Sequence, residues 1–296
     1  MHSPLPDTPC YLNGEYTRVC DAKVSVLDRG FIFGDGIYEV VPVYGQRLFR
    51  FDEHMARLQR GLGKVRIDNP HEREAWLQRC RHLVQAMAQQ TGATDQLVYI
   101  QVTRGVAPRD HVMPVGLTPT VFMMVTPMKP PTAEQRHHGV ACMTARDFRW
   151  ERGDIKSISL LGNVLARQMS ADHGAIETVM FRDGFLTEAA ASNVWVVHEG
   201  ALLGPPKSEH VLEGIRVELL RELCEEVGIA YNLRPLSESD VRSADELLLS
   251  SATKEVLAIT HLDGEAVGHG ALRGKVGPVY ARLHQAYQRA KALQSI

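Results

Sequence analysis

The sequence predicts an α+β protein built in two lobes, and three observations carry that prediction. Strand-like apolar runs are bounded by tight-turn pairs such as Asn13-Gly14, Asp183-Gly184 and Glu199-Gly200 in both halves of the chain. Longer stretches with apolar residues at helical spacing stand beside those runs. Near the middle, TPMKPPTAEQRHHG at 126–139 is rich in proline and polar residues, as interdomain connections are. A first lobe over 1–127, a connection over 128–138 and a second lobe over 139–296 follow.

In the first lobe, YLNGEY reads as a hairpin, and KVSVL and IYEVVPVY as further strands. Asp52 in FDEHMARLQRGL is placed to cap a helix, and REAWLQRCRHLVQAMAQQTG is a longer helix ended by Gly92. The runs QLVYIQVTRG and PTVFMMVTP complete the lobe as strands. In the second lobe, RGDIKSISLLGNVLARQ leads into a helix with Leu160, Leu161, Val164, Leu165 and Met169 on one apolar face, which pins Lys156 close to a core. IETVMFRDGFLTEAAASNVWVVHEGALLGPP is a meander, a helix pattern covers Val211 to Val227, DELLLSS and VLAITHLDG are strands, and a last helix runs from Pro278 to Leu293.

Composition narrows the function classes. The chain has 296 residues, 44% of them hydrophobic and 23% charged, which suffices for one large core or two smaller ones. A formal net charge of -2 gives no general attraction to nucleic acid or to an anionic membrane. The cysteines Cys10, Cys20, Cys80, Cys142 and Cys224 are widely spaced and form no C-x-x-C, so neither a disulfide framework nor a zinc site is expected and a reducing cytoplasm fits. The opening MHSPLPDTPCYLNG has no basic-then-apolar signal pattern, and no apolar run approaches membrane length, so neither secretion nor membrane insertion is expected.

Five places offer chemistry, each with a plainer alternative. Lys156 is either a loop lysine whose stem packs while its ammonium reaches water, or an amine held in an apolar site with a lowered pKa. Glu188 is either a strand-end carboxylate or one that needs a cationic partner, and the small residues Ala189, Ala190, Ala191 and Ser192 after it allow a flat ligand near the backbone. Gly214 interrupts a helix start, either as one of the many glycines there that carry no ligand or as one that offers the amides of Ile215 and Arg216 to an anion. LLLSSATKE is a strand exit that carries hydroxyls, and Arg109 and His111 stand two apart in a proline-bounded loop, as a surface pair or a cationic clamp for a carboxylate.

Taken in order, DRGFIFGDGIYEVV, DEHMARL, VTRGVAPRDH, GDIKSISLLGNVLA, LTEAAASNV, LEGI and DELLLSSATKEV resemble the class IV aminotransferases, the pyridoxal-phosphate enzymes of fold type IV, over residues 10–265. The PRDH loop and the LLGNVLA helix are most similar to the D-amino acid transaminase branch. The resemblance implies a smaller N-terminal lobe, a larger β-rich C-terminal lobe and pyridoxal 5'-phosphate as cofactor. It implies Lys156 as the residue that forms a Schiff base with the cofactor and shuttles the substrate proton. Such a lysine must be neutral, whereas in water its pKa is about 10.4. Glu188 is implied as the partner of the pyridinium nitrogen, and Arg57, the amides of Ile215 and Arg216, Ser251 and Ala252 as the phosphate cup. Tyr38 is implied on the substrate side. Arg109 and His111 are implied as the substrate-carboxylate trap reaching in from the partner subunit of a homodimer with shared active sites.

The implied reaction moves the amino group of a D-alanine-like D-amino acid to a 2-oxo acid. Branched-chain L-amino acid aminotransferases and aminodeoxychorismate lyases share the lysine and glutamate motifs and stand as alternatives, with a pyridoxal-phosphate-binding protein without turnover as the non-enzymatic one. Three positions depart from the pattern: Ala191 and Ala252 replace hydroxyl residues, and Arg216 adds a cation at the expected phosphate cup.

Overall fold

The computed structural model describes residues 6–296, so residues 1–5 of the opening stretch lie outside the described residues. The chain divides into two compact units. The first gathers the described residues up to Met128 with Ile155–Leu160 and Gln294–Ile296; the second comprises Lys129–Asp154 and Leu161–Leu293. Relative to a cut at 128–138, the segment around Lys156 and the last three residues go with the first unit.

Over the described residues the first unit has a six-stranded sheet in the order β2-β1-β6-β5-β3-β4. Its strands are β1 (Pro9–Leu12), β2 (Glu15–Arg18), β3 (Gly36–Tyr44), β4 (Arg47–Leu48), β5 (Gln96–Thr103) and β6 (Thr120–Pro127). The expected hairpin is present: Asn13 and Gly14 have φ of 48° and 107°, the left-handed pair that a two-residue turn demands. KVSVL is not a strand. Val24 and Val26 are 52% and 71% exposed, and a β-branched run forms a ladder only where a neighbouring strand accepts it.

Asp28 caps the short α1 (Arg29–Phe33) by accepting from the Gly30 N–H at 2.8 Å. Helices α2 (Phe51–Lys64) and α3 (Arg73–Thr91) cover the sheet, with Leu58, Leu62, Leu83 and Met87 packed in one core with Val41, Val98 and Ile100. Asp52 is not the cap of α2; that position is Arg50, and Asp52 lies in the first turn, where it accepts from Arg73 at 2.5 and 3.0 Å. Gly92 ends α3 at φ 72°, as expected. The Lys156 segment lies along the start of β3: the Tyr38 N–H donates to the Lys156 carbonyl at 3.0 Å and the Ile158 N–H to that of Gly36 at 3.1 Å, while Ile155 joins the core.

The second unit opens inside the expected connection with α4 (Ala133–His138), held by a capping box between Thr132 and Gln135. Its sheet runs β12-β11-β10-β13-β14-β7-β8-β9, with β15 on β14. The strands are β7 (Val140–Arg146), β8 (Glu177–Arg182), β9 (Phe185–Ala189), β10 (Asn193–His198), β11 (Ala201–Gly204), β12 (Tyr231–Leu233), β13 (Glu246–Ser251), β14 (Glu255–Leu262) and β15 (Glu265–Ala266). The helices are α5 (Leu161–Asp172), α6 (Ile215–Val227), α7 (Glu238–Arg242) and α8 (Pro278–Leu293).

Two expectations change here. Helix α6 begins at Ile215 and not at Val211, because Gly214 takes extended backbone at φ -64°, ψ 147°. The apolar face of α5 does not seal a core: Leu161, Val164 and Leu165 are 72%, 59% and 52% exposed, while Ala166 and Ser170 are buried. Helical periodicity reveals a stripe but not what it faces.

Candidate active site

In the first unit the Lys156 amine lies 4.0 Å from the centroid of the Tyr38 ring, a cation–π placement, and no carboxylate pairs with it among the described residues. The Tyr38 ring in turn stands 5.7 Å from that of Tyr99, whose hydroxyl donates to Gln101 Oε1 at 2.7 Å. Burial, then Tyr38, pushes the Tyr99 phenol up to about 12.

Arg109 and His111 are brought together on one ring. The Arg109 guanidinium stands 5.4 Å from the Phe33 centroid and the His111 ring 5.3 Å from it. Arg29 stacks on Phe33 at 4.8 Å, donates to the Asp110 carbonyl at 2.5 Å, and is anchored by Asp35 at 2.8 Å. Asp35 also accepts from Arg104 at 2.7 and 3.0 Å. Burial alone would raise Asp35, but Arg104 and then Arg29 hold it below its ordinary value.

In the second unit Glu188 is 7% exposed and is met at both oxygens. Arg149 donates to Oε1 at 2.6 Å and the Leu212 N–H to Oε2 at 3.2 Å. Arg149 is held from the far side by Asp147, at 3.0 and 2.9 Å, and Asp147 accepts from the Thr187 hydroxyl at 2.9 Å. Burial pushes the Glu188 carboxyl above its ordinary value, against the opposing pull of Arg149 and of the amide.

The start of α6 and the end of β13 meet through Asn193. Its amide donates to the Leu212 carbonyl at 3.1 Å, it faces Ser250 across the β10–β13 ladder, and a Cβ on Gly214 would lie 2.1 Å from its Oδ1. Gly214 supplies no side-chain cap to α6. Helix amides with no such cap beside a strand exit bearing Ser251 suit an anion.

A family model for class IV aminotransferases matches residues 36–262. The chain belongs to the class IV aminotransferases. This aminotransferase is 36% identical over 278 residues to a D-alanine aminotransferase of Bacillus licheniformis, covering 94% of this chain and 95% of that one. It is 35% identical over 282 residues to that of Staphylococcus epidermidis, covering 95% and 97%. Among solved structures, a branched-chain amino acid aminotransferase from Escherichia coli matches with TM-score 0.86 at 25% identity, over 96% of this chain and 94% of that one. A hypothetical aminotransferase from Mycobacterium tuberculosis in its PLP-bound form matches with TM-score 0.83 at 20% identity, over 96% and 98%, a likeness of fold. The architecture is that of fold type IV.

The Arg57 guanidinium donates to Glu39 through Nε at 2.7 Å and Nη2 at 2.8 Å. The Arg216 side chain is 3% exposed and, from the first turn of α6, donates to the Tyr287 hydroxyl of α8 at 3.0 Å. Ala191 is exposed, and its N–H donates to Glu177 Oε2 at 3.3 Å.

Taken one by one, an amine with no carboxylate partner among the described residues in the first unit, and a buried carboxylate with its own counter-ion and a helix start whose glycine leaves no room for a Cβ in the second, each suit one group of a phosphate-bearing aromatic aldehyde. Sequence reading missed Arg149, Asp147, Glu39 and Phe33. A buried Glu188 signals a cation, but Arg146, Arg149 and Arg152 compete for that role in sequence.

Proposed function

We propose that this aminotransferase uses pyridoxal 5'-phosphate to move the amino group of a D-amino acid, D-alanine-like, to a 2-oxo acid. The observation that carries the D-specific reading is the gathering of Arg109 and His111 on Phe33, a compact cationic pair suited to an α-carboxylate. The names of the D-alanine aminotransferases to which the chain is similar support it.

Lys156 would hold the cofactor through its amine and would move the proton at the substrate Cα. Glu188, oriented by Arg149, would pair with the ring nitrogen of the cofactor and favour its protonated form. The amides of Ile215 and Arg216 hold the phosphate, together with Ser251, the backbone at Ala252 and Arg57. Tyr38 lines the substrate side. When bound, the cofactor supplies the electron sink for the charge left at Cα. The exposed stripe of Leu161, Val164 and Leu165 on α5 supports a homodimer with shared sites, in which Arg109 and His111 serve the partner. The five free thiols support a cytoplasmic location, and no described helix is long and apolar enough to cross a membrane.

The test is the half-reaction with D-alanine and with L-leucine, followed by loss of the bound-cofactor absorbance, with Lys156→Ala as the blank. The parent should prefer D-alanine. Arg109→Ala should lose roughly 2 to 5 kcal/mol of carboxylate binding toward donor and acceptor alike, since both carry that group, and should keep its cofactor. Preference for L-leucine would move the reading to the branched-chain enzymes, and no half-reaction with any amino acid would move it to a binding protein.

A further inference from the structure

Beside Ala191 and Ser192 lies an ion pair between a buried carboxylate and a partly buried lysine that the proposed chemistry does not use. Glu177, at the head of β8, has no exposed surface, and Lys254 Nζ reaches its Oε1 at 2.8 Å from the turn between β13 and β14. The same oxygen accepts from the Ser192 hydroxyl at 2.8 Å, and Oε2 accepts from the Ala191 N–H at 3.3 Å. The backbone N–H of Lys254 donates to Ser251 Oγ at 3.1 Å. One lysine therefore touches both stretches: its main chain orients the Ser251 hydroxyl, and its ammonium meets the carboxylate that holds Ala191 and Ser192.

We propose that the Lys254–Glu177 pair is a positioning element for cofactor binding, bracing the Ser251–Ala252 turn against the Ala191–Ser192 loop so that the turn is set for the phosphate before it arrives. The inference rests on the reading of that turn as part of the phosphate cup. As a unit the pair is neutral, so what it contributes is position and not net charge. Breaking it leaves a buried charge alone, whereas replacing both members with apolar side chains of similar volume removes the charges together. With Ala252 lacking a hydroxyl, the turn depends more heavily on the geometry of Ser251 and of its backbone amides.

The experiment titrates apoenzyme with pyridoxal 5'-phosphate and, separately, with pyridoxal, by quenching of tryptophan fluorescence. The ratio of the two Kd values reports what the phosphate contributes. In Lys254→Met the Kd for the phosphorylated form should rise at least about tenfold, the size of one lost charge-assisted hydrogen bond, with a smaller change for pyridoxal, so the ratio falls; Lys254→Arg should restore it. If Lys254→Met does not fold, Lys254→Met/Glu177→Met is measured in its place, and a fallen ratio there supports the brace equally. A parent ratio well above one that persists in the folded variants overturns the inference and leaves the phosphate cup standing. A parent ratio near one overturns the cup and the inference with it.

Discussion

Glu188 illustrates how a single carboxylate is made usable. Arg149 on Oε1 and the Leu212 amide on Oε2 fix its plane, and Asp147 neutralises the rest of Arg149, so the guanidinium has no reason to turn away. Its need for a partner follows from its apolar surroundings in the sequence; which arginine answers does not. Glu188→Gln preserves shape and removes charge. The variant is expected to keep its cofactor absorbance while the single-turnover loss of the D-alanine Cα proton slows by at least about tenfold, the equivalent of a one-unit fall in the pKa of the ring nitrogen. An unchanged rate would mean that Glu188 does not face that nitrogen.

At the scale of elements, the start of α6 is the joint on which several contacts depend. Asn193 holds the Leu212 carbonyl, the Leu212 amide holds Glu188, and Gly214 fits against Asn193 only because it has no Cβ. Gly214→Ala would force the Asn193 amide to move, since the added carbon would sit 2.1 Å from its Oδ1. Cofactor affinity should fall roughly tenfold, about 1.4 kcal/mol, measured as Kd on apoenzyme, with the fold retained. Parent-like affinity in this variant would falsify the placement of the phosphate at this helix. Helix α5 makes the opposite case. Its stripe was legible in the sequence, but periodicity is the same whether a face meets a core or solvent, and only the packing of Ala166 and Ser170 inward shows that Leu161, Val164 and Leu165 face out.

For the whole molecule, two expectations follow. If the α5 stripe joins two copies, Val164→Glu with Leu165→Glu should yield monomers in sedimentation velocity at concentrations where the parent is dimeric, since desolvating two unpaired charges opposes association. A dimer that persists would place the interface elsewhere. Acid stability is set by carboxyls held below their ordinary values. Burial alone would raise Glu39, Asp35 and Asp147, but Arg57 with His54, Arg104 with Arg29, and Arg149 respectively outweigh it. Each folded-state pKa is depressed, so each contributes stability that is present above the unfolded value of about 4 and is lost as pH falls through the folded one, about 1.4 kcal/mol for each pH unit that separates the two values. Glu188 and Glu246 are raised and act in the opposite sense, their contribution being lost as pH rises through their folded values. The melting temperature should therefore drop steeply below about pH 4, and Glu39→Gln should flatten that drop. An equal slope in the variant would assign acid unfolding to other groups.

The sequence by itself determined the family, the order of most strands and helices, the turns at Asn13-Gly14, Asp183-Gly184 and Glu199-Gly200, and the ends of α3 and α8, because backbone sterics at glycine, proline and asparagine and the periods of two and 3.6 are local properties. Tertiary structure alone decided that KVSVL is not a strand, that the Arg216 guanidinium turns to Tyr287, that Arg57 is clasped by Glu39, that Arg149 serves Glu188 and that Lys254 reaches Glu177. Those outcomes join residues far apart in the chain. A charged side chain long enough to span several ångströms takes whichever buried partner the packing brings within reach, and no local pattern records which one that is.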